Sequence, residues 1–578
     1  MVSRTLLTGI LTAAGAFAQM TVFPKPSFFR EAFRKPDTNV TIEAPAGLRD
    51  FVKDGDACQA AVVKAANVNI AADTTLDTTQ AVAPQQPSQY PERAPSQCLV
   101  LTLKDYLGLA MANHTNVQTY YLTVERSRNN VTSVLGNWDP RGSASLTPSW
   151  RQSDPQFNAP SGFSSRSGSW PISLGYNQTL QTGQTLSFSG GGYKNTAWGT
   201  NTSYGSSMSF SVTQPLIKNR GGYITRLPLI QARSTLKVSQ FQLRQNLLGF
   251  VNSAEGAYWQ FISAREQLRV TLTAQDVMKA NLDYIQHELQ LGAVSDLSMY
   301  RPEQNYAASQ VTTLQNEFSF RNQEDALRRQ IGADIDPNVR DLPVVLTASP
   351  DLSPAEAITP DREQTVQKAL GLNPSIKIAM ENLSADDYGL TSARNGLLPQ
   401  LDLKAGYSGS GSGSTYVPYG GGSVIPGGLG DAVQQLLEWG NPSYNIGLTL
   451  SFPIRSRSAS MTMANAIIQK KSDALSLRNS QQGLRLSVLQ AVNSFVGAIA
   501  AAKMAVLSRE YAQKDYDAQM LEFKLGMNTQ LDLVSAAQEL ATADSAMVTT
   551  QIQVRTNLLN LWLQTGELLD QRGIVVGP

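Results

Sequence analysis

The chain has 578 residues, enough for several ordinary domains or for one very elongated one. Only 16% of the residues are charged, against about 25% in a typical domain, and 47 basic residues nearly balance 46 acidic ones. This balance argues against a nucleic-acid binder that relies on bulk charge, and two cysteines with two histidines leave little material for a metal site. We therefore expect no metal, no cofactor and no nucleic-acid partner.

The N-terminus, residues 1–18, has the pattern of a secretory signal peptide. Arg4 precedes an apolar stretch that ends in Ala16-Phe17-Ala18, a typical cleavage site. A buried N-terminal helix is the alternative, but nothing amphipathic follows the stretch. Farther along the chain, the most apolar segment, 488–507, is interrupted by polar residues. The sequence thus predicts an exported protein without a transmembrane helix.

Residues 19–98 are rich in Pro, Ala, Gln and Thr, a composition that does not bury a core. We expect this segment to be an extended arm. It contains both cysteines, Cys58 and Cys98. In an oxidising compartment the two could pair as a disulfide, or they could remain independent free thiols.

The sequence after residue 98 repeats itself once. Residues 113–140 align with 372–399 at an offset of 259, and Leu291-Gly292 aligns with Leu525-Gly526 at an offset of 234. An apolar stripe recurs at an offset of 238, in which Ala254, Ala257, Phe261, Ala264 and Leu268 correspond to Val492, Phe495, Ile499, Ala502 and Val506. The predicted divisions are a first repeat (99–340, tip turn about 291–297), a linker (341–360), a second repeat (361–569, tip turn about 525–531) and a tail (570–578).

Each repeat is predicted to contain one very long helix. The spacing of the stripe, alternately three and four residues, is that of a coiled-coil seam or of an ordinary core helix. Length favours the coiled coil, because the helical pattern continues without proline from 229 to 290, roughly 90 Å. The other predicted helices cover 101–137, 303–332, 361–396, 458–524 and 532–565.

Between the helices, at about 143–215 and 400–453, the periodicity changes to two. Apolar residues alternate with Ser, Thr, Gly or Asn, and Trp and Tyr lie near the segment ends, which is typical of transmembrane β-strands. Long Gly/Ser-rich loops at 153–169, 195–205 and 411–442 contrast with the short Thr182-Gly183 turn. A secreted β-sandwich is the alternative, although a sandwich is not expected between helices of this length.

Several motifs occur together and in order in one known family. They are Leu101-Thr102-Leu103-Lys104-Asp105, Gln214-Pro215-Leu216, Asn373-Pro374-Ser375-Ile376, Leu398-Pro399-Gln400-Leu401 and the two Leu-Gly turns. With them the chain resembles the TolC-like outer-membrane efflux protein (OEP) family over residues 99 to about 569. The resemblance implies a mixed α and β membrane protein of the cell outer membrane, a homotrimer whose β-barrel continues into a long periplasmic α-helical coiled-coil barrel. It also implies docking to a periplasmic adaptor (membrane fusion) protein and an inner-membrane pump, proton-driven or ABC-type, contact with outer-membrane lipid, and no catalysis.

The first repeat departs from the family pattern. It has four strand candidates where the founding members of the family have two, because of an extra hairpin at about 170–194. The hairpin puts the usual strand count of the barrel in doubt, since six strands per chain would give about 18 in a trimer. The long arm before Cys98 is a second departure.

The resemblance also suggests where the tunnel closes. In the family the helix–turn–helix tips close it, and an acidic residue six positions after the tip glycine forms a ring. From Gly526 this count gives Asp532, whereas from Gly292 it gives Ser298, with Asp296 two residues earlier. Both glycines are expected to end a helix in the left-handed conformation. Asp532 could instead be a solvated helix-start residue that interacts with the helix dipole.

Enzymatic interpretations find little support, because nucleotide-binding, nucleophile-elbow and zinc-protease motifs do not occur and neither histidine has an adjacent nucleophile. The leading hypothesis is a passive outer-membrane exit duct for small molecules in a tripartite efflux system. An alternative with the same fold is the outer-membrane component of type I protein secretion. An alternative of another class is a secreted coiled-coil structural or adhesive protein without a pore.

Overall fold

The two long apolar stripes form two helical hairpins, built on helices of 64 and 68 residues. The computed structural model describes residues 47–54, 97–153, 165–197, 202–348, 358–413, 427–439, 441–525 and 527–576. Its helices are α1 (Leu103–Asn113), α2 (Thr115–Leu135), α3 (Gly222–Thr225), α4 (Leu227–Gln290), α5 (Tyr300–Ile331), α6 (Arg362–Leu372), α7 (Pro374–Gly396), α8 (Leu429–Leu437), α9 (Arg457–Lys524), α10 (Gln530–Thr565) and α11 (Leu568–Gln571). Helix α4 pairs with α5, α9 pairs with α10, and α10 also packs on α4.

The shorter helices before the strands are each broken once, so the prediction of single helices over 101–137 and 361–396 was wrong. Between α1 and α2, His114 has an extended backbone, and its Nδ1 accepts the N–H of Asn116 at 3.2 Å. Between α6 and α7, the Oδ1 of Asn373 accepts the N–H of Ser375 at 2.9 Å. The breaks lie at 114 and 373, the 259-residue offset seen in the sequence. The interruption is therefore part of the repeated unit, with a new N-cap at each break.

The period-two segments form one antiparallel sheet. It is built from β3 (Arg141–Leu146), β4 (Ser149–Ser153), β5 (Ser165–Thr179), β6 (Thr185–Ala197), β7 (Ser203–Pro215), β9 (Gln400–Ser412) and β10 (Pro442–Ser451). A separate small sheet contains β1 (Val52–Asp54), β2 (Gln97–Leu101) and β8 (Val344–Leu346). The large sheet has the order β10-β9-β7-β6-β5-β3, and β4 also pairs with β5. Since β3 and β4 follow one another along β5, this sheet has six strand positions within the described residues.

The extra hairpin of the first repeat is an integral part of this sheet. It is formed by β5 and β6, which lie between β3 and β7 and pair over residues 167–179 and 185–197. Its turn is tight, because the N–H of Leu180 donates to the carbonyl of Gln184 at 2.7 Å and Gly183 has φ 94°. A positive φ favours glycine here. The first repeat therefore contributes four strand positions and the second repeat two.

Part of the predicted arm is packed rather than extended. Strand β1 pairs with β2, β2 pairs in parallel with β8, and Leu48 is only 1% exposed. The expectation that 19–98 buries nothing was therefore wrong for residues 47–54, because this short piece completes a small sheet with the predicted linker. The predicted signal peptide and Cys58 lie outside the described residues.

The main core lies where α1, α2, α4, α5, α10 and α11 converge. Tyr106 and Tyr258 are fully buried there, with ring centroids 5.5 Å apart, and burial raises the pKa of both hydroxyls, to about 12 for Tyr258. A second core joins α6, α9 and α10 around Val492 and Phe495. Within the described residues, α9 is the one helix long and apolar enough to cross a membrane by composition. Its buried side chains are a packing seam between helices.

Candidate functional site

The large sheet separates apolar from polar side chains. Residues directly opposite one another in an antiparallel pair share a face, so the register assigns each side chain. One side, the apolar face, carries Leu146, Ile172, Leu174, Phe188, Phe210, Val212, Leu401, Leu403, Tyr407, Ile446, Leu448 and Leu450. On β10 this face is open, with Ile446 84% and Leu448 65% exposed. A contiguous exposed apolar surface of this kind marks contact with a membrane or a partner.

The opposite side, the polar face, carries small hydroxyl and amide residues. Its members are Ser143, Ser145, Ser173, Asn177, Ser187, Ser189, Ser207, Ser209, Ser211, Ser408, Ser410, Asn445 and Thr449. The hydroxyls of Ser145 and Ser173 lie 2.7 Å apart, as do those of Ser189 and Ser209. Small polar groups that bond across strands leave open space beside the sheet and can face water.

At both edges the large sheet ends in strands that, within the described residues, are paired on one side only. Within the described residues, β3 and β4 pair with β5 alone, and β10 pairs with β9 alone. Each edge strand thus has a row of backbone donors and acceptors that another strand can satisfy.

A helix covers one end of the apolar face, and sequence reasoning missed it. Helix α8 lies in the segment that was interpreted as a Gly/Ser-rich loop, and it packs on β6, β7 and β9. The pattern that could have revealed it is the apolar set Leu429, Ala432, Val433, Leu436 and Leu437, at helical spacing.

The first helical tip has the geometry of a glycine-terminated helix. Gly292 has φ 73°, and the N–H of Ala293 donates to the carbonyl of Glu288 at 2.9 Å. These are the left-handed residue and the six-to-one bond that commonly end helices. At the second tip the N–H of Met527 donates equivalently to Glu522 at 2.9 Å. Gly526 itself lies outside the described residues.

The two hairpins contact each other just behind their tips. Met278 of α4 packs with Val534 and Ala537 of α10. The rings of Tyr284 and Phe523 meet edge-on with centroids 5.4 Å apart. The tips of the two repeats therefore form one unit.

Both predicted gate carboxylates lie at helix starts and are exposed. Asp532 accepts the backbone N–H of Thr529 at 3.2 Å and also bonds the Thr529 hydroxyl, which completes a capping box for α10. Asp296 begins a 3₁₀ helix, Asp296–Met299, that leads into α5. The structure gives Asp532 a helix-capping role and leaves the residue exposed to solvent after the tip.

The remaining candidates lie away from the sheet and tips. Cys98 is fully buried on β2 beside Val345, and its pairing with Cys58 stays a prediction. The described residues contain no group of three His, Cys, Asp or Glu side chains that could hold a metal ion.

Comparison with known proteins gives a family for this arrangement. Residues 365–567 match the model of the family described as outer membrane efflux protein. The second repeat is thus identified as an outer membrane efflux protein domain. This match supports an outer-membrane location with an extended periplasmic part. No curated protein matches the chain.

Solved structures share the fold at low sequence identity. The Campylobacter jejuni CmeC outer membrane channel is 15% identical, with a TM-score of 0.57 over 81% of this chain and 86% of that one. The outer membrane protein VceC of Vibrio cholerae is 13% identical, with a TM-score of 0.55 over 80% and 96%. The open state of the Neisseria gonorrhoeae MtrE outer membrane channel is 14% identical, with a TM-score of 0.56 over 81% and 89%.

Proposed function

We propose that the protein is a passive outer-membrane exit duct of a tripartite efflux system. Three copies would share one β-barrel, and their helical hairpins would form a periplasmic tunnel. A periplasmic adaptor and an inner-membrane pump would deliver small molecules to the tips, and the duct itself would carry out no chemistry.

The observation that carries this proposal is the two-sided sheet. Its exposed apolar face suits lipid and its polar face suits a water-filled lumen, which together are the properties of a transmembrane barrel. Within the described residues, one chain leaves both sheet edges unpaired, and unpaired edges are not tolerated in hydrocarbon. Closure by other copies of the chain satisfies both edges and encloses the polar face.

The long helices supply the second half of the duct. At 64 and 68 residues, α4 and α9 span roughly 100 Å each. Helices of this length, tied together at their tips, extend well beyond the thickness of a membrane. They support a tunnel that reaches toward partners in the periplasm.

Conductance tests the proposal. The full-length protein, extracted from outer membranes with detergent and added to planar lipid bilayers, is expected to give discrete single-channel steps. A secreted coiled-coil rod would be extracted without detergent and would give no steps, and that result would overturn the proposal.

We further propose that Asp532 contributes to a carboxylate ring at the tunnel end. Three copies around a threefold axis would concentrate negative potential and favour cations. The capping bond with Thr529 does not neutralise the charge, so both roles are compatible.

Two variants separate the ring from the cap. Asp532→Asn removes the charge, whereas Thr529→Ala removes the capping hydroxyl and keeps the carboxylate. Cation selectivity and block by multivalent cations are expected to fall in Asp532→Asn and to be retained in Thr529→Ala. Equal cation selectivity in wild type and Asp532→Asn would mean that Asp532 acts only as a helix cap. Asp296 would then be the next candidate for the carboxylate ring.

A further inference from the structure

We propose that α8 and the following Trp439 form a lipid anchor, with the exposed flank of the helix among acyl chains of the outer leaflet. The inference rests on the proposed function, since it requires the apolar face of the sheet to be in lipid. It assigns a lipid-binding role to a segment between two strands.

Two glycines at the end of β9 allow α8 to lie close to the sheet. A Cβ atom at Gly411 would lie 1.9 Å from the carbonyl oxygen of Ala432, and one at Gly413 would lie 1.9 Å from that of Gly428. The hydroxyl of Ser206 donates to the Ala432 carbonyl at 2.7 Å in a buried bond. Any larger residue at the two glycines would displace the helix, so α8 is docked on the apolar face.

The docked helix also protects the strand beneath it. The N–H of Ser412, beyond the point where β10 stops pairing with β9, donates to Oε1 of Gln435 at 2.7 Å. Asn441 Nδ2 donates to the carbonyl of Ser410 at 3.2 Å. These bonds satisfy a backbone edge that would otherwise be costly to place near lipid.

One flank of α8 is apolar and, within the described residues, largely uncovered. Leu429, Val433 and Leu437 are spaced by four residues, so they share one side of the helix, and they are 43%, 40% and 72% exposed. Gln434 and Glu438 lie on the other side and hydrogen-bond each other at 2.8 Å. The helix is therefore amphipathic even after it has docked, with an apolar flank left over.

The end of α8 lies at the aromatic level of the sheet. Trp439 has φ 59°, a left-handed conformation that is uncommon for a bulky residue and persists where neighbouring contacts hold it. Its ring packs on Tyr407 at 5.0 Å, and Tyr407 packs on Tyr444 at 5.4 Å. Trp and Tyr gather at the boundary between the apolar band of a barrel and water. The contacts thus direct the C-terminal end of α8 toward the apolar band.

Lipid is a better occupant for the flank than a second copy of the chain. Helix α8 packs on β6, β7 and β9, which are inner strands of the sheet. A neighbouring copy would join at the edge strands, β3 and β10, away from most of the helix. The apolar face of the sheet adjoins the exposed flank of α8, so both would contact the same lipid.

Site-specific fluorescence tests the anchor in the full-length protein. Leu437→Cys, Gln434→Cys and Ile446→Cys are each labelled with a thiol-reactive NBD dye and reconstituted into phosphatidylcholine vesicles containing nitroxide-labelled acyl chains. Unsubstituted protein gives the background labelling. Quenching is expected to be several-fold stronger at 437 and 446 than at 434, with blue-shifted emission at 437.

The outcomes separate the anchor from the duct. If 446 is quenched and 437 is not, the duct proposal stands and the anchor is overturned. The same holds if 437 is blue-shifted without quenching, which would place it against protein. If neither 446 nor 437 is quenched, the apolar face is not in lipid, and both proposals fail.

Discussion

Glu255 is the most deeply buried acidic side chain of the described residues, with 1% of it exposed. Its carboxylate accepts Nε of Arg572 at 2.7 Å, a second guanidinium nitrogen of the same residue, and Nε1 of Trp259 at 3.2 Å. Arg572 also lies over the ring of Trp562 at 5.0 Å. The predicted C-terminal tail is therefore held to the middle of α4 by one buried ion pair.

Arg572→Ala is expected to destabilise the protein by about 3 kcal/mol, because it leaves the Glu255 charge buried with one neutral donor. The control is Arg244→Ala, which breaks a 2.7 Å pair with Asp570 that is largely exposed and is expected to cost less than about 1 kcal/mol. The midpoint of thermal unfolding in detergent measures both. Equal effects of the two variants would contradict the special role of the buried pair.

His114 caps the N-terminus of α2 through its neutral imidazole, and protonation of Nδ1 would abolish this cap. Burial, and then the charge of Arg329, lower the pKa of the imidazole from its ordinary 6.5, so the folded state favours the neutral ring whose Nδ1 accepts a backbone N–H. The resulting stability is present above pH 6.5 and is lost as the pH falls through the lowered pKa. His114→Asn, which copies Asn373 of the second repeat, is expected to flatten the stability profile between pH 7 and 5. A profile unchanged from wild type would mean that His114 does not set this dependence.

At the scale of elements, the helices were predictable and their interruptions were not. The helix predicted over 229–290 spans 227–290, because a long apolar stripe without proline admits few alternatives. The breaks at His114 and Asn373 depend on local capping by single side chains, which periodicity does not detect. Helix α8 was missed because its apolar set is short and lies among glycines and serines. The two tip carboxylates were suggested by the family resemblance. The bond between Asp532 and Thr529 could be seen only in the structure.

The docking of α8 can be tested by one glycine. Gly411→Val would force the helix away from β9 and is expected to cost about 1–3 kcal/mol and to expose 427–439 to protease. The control is Gly447→Val on β10, where an added Cβ would meet nothing within 4 Å. Limited proteolysis followed by mass spectrometry compares the two. Similar cleavage of both variants and wild type would show that the glycine does not position the helix.

At the scale of the whole molecule, the proposed duct requires further copies of the chain, because both edges of the sheet are unpaired within the described residues. The six strand positions of the described residues are too few to enclose a passable lumen, and three chains would provide about 18. We expect light scattering in mild detergent to give three times the mass of one chain, with no conducting monomer. A monodisperse monomer that still conducts would contradict closure by several copies.

The hairpin of β5 and β6 has its turn at the end of the sheet where the helices begin, so the chain enters and leaves it at the opposite end. Adding or removing it therefore changes the circumference of the sheet without moving any helix start, and the two helical hairpins and their tips stay as they are. In the proposed duct, the width of the outer opening and the surface of the helical tips can consequently evolve independently. Gain or loss of this one hairpin would then change the exit of the duct and leave its periplasmic end unchanged.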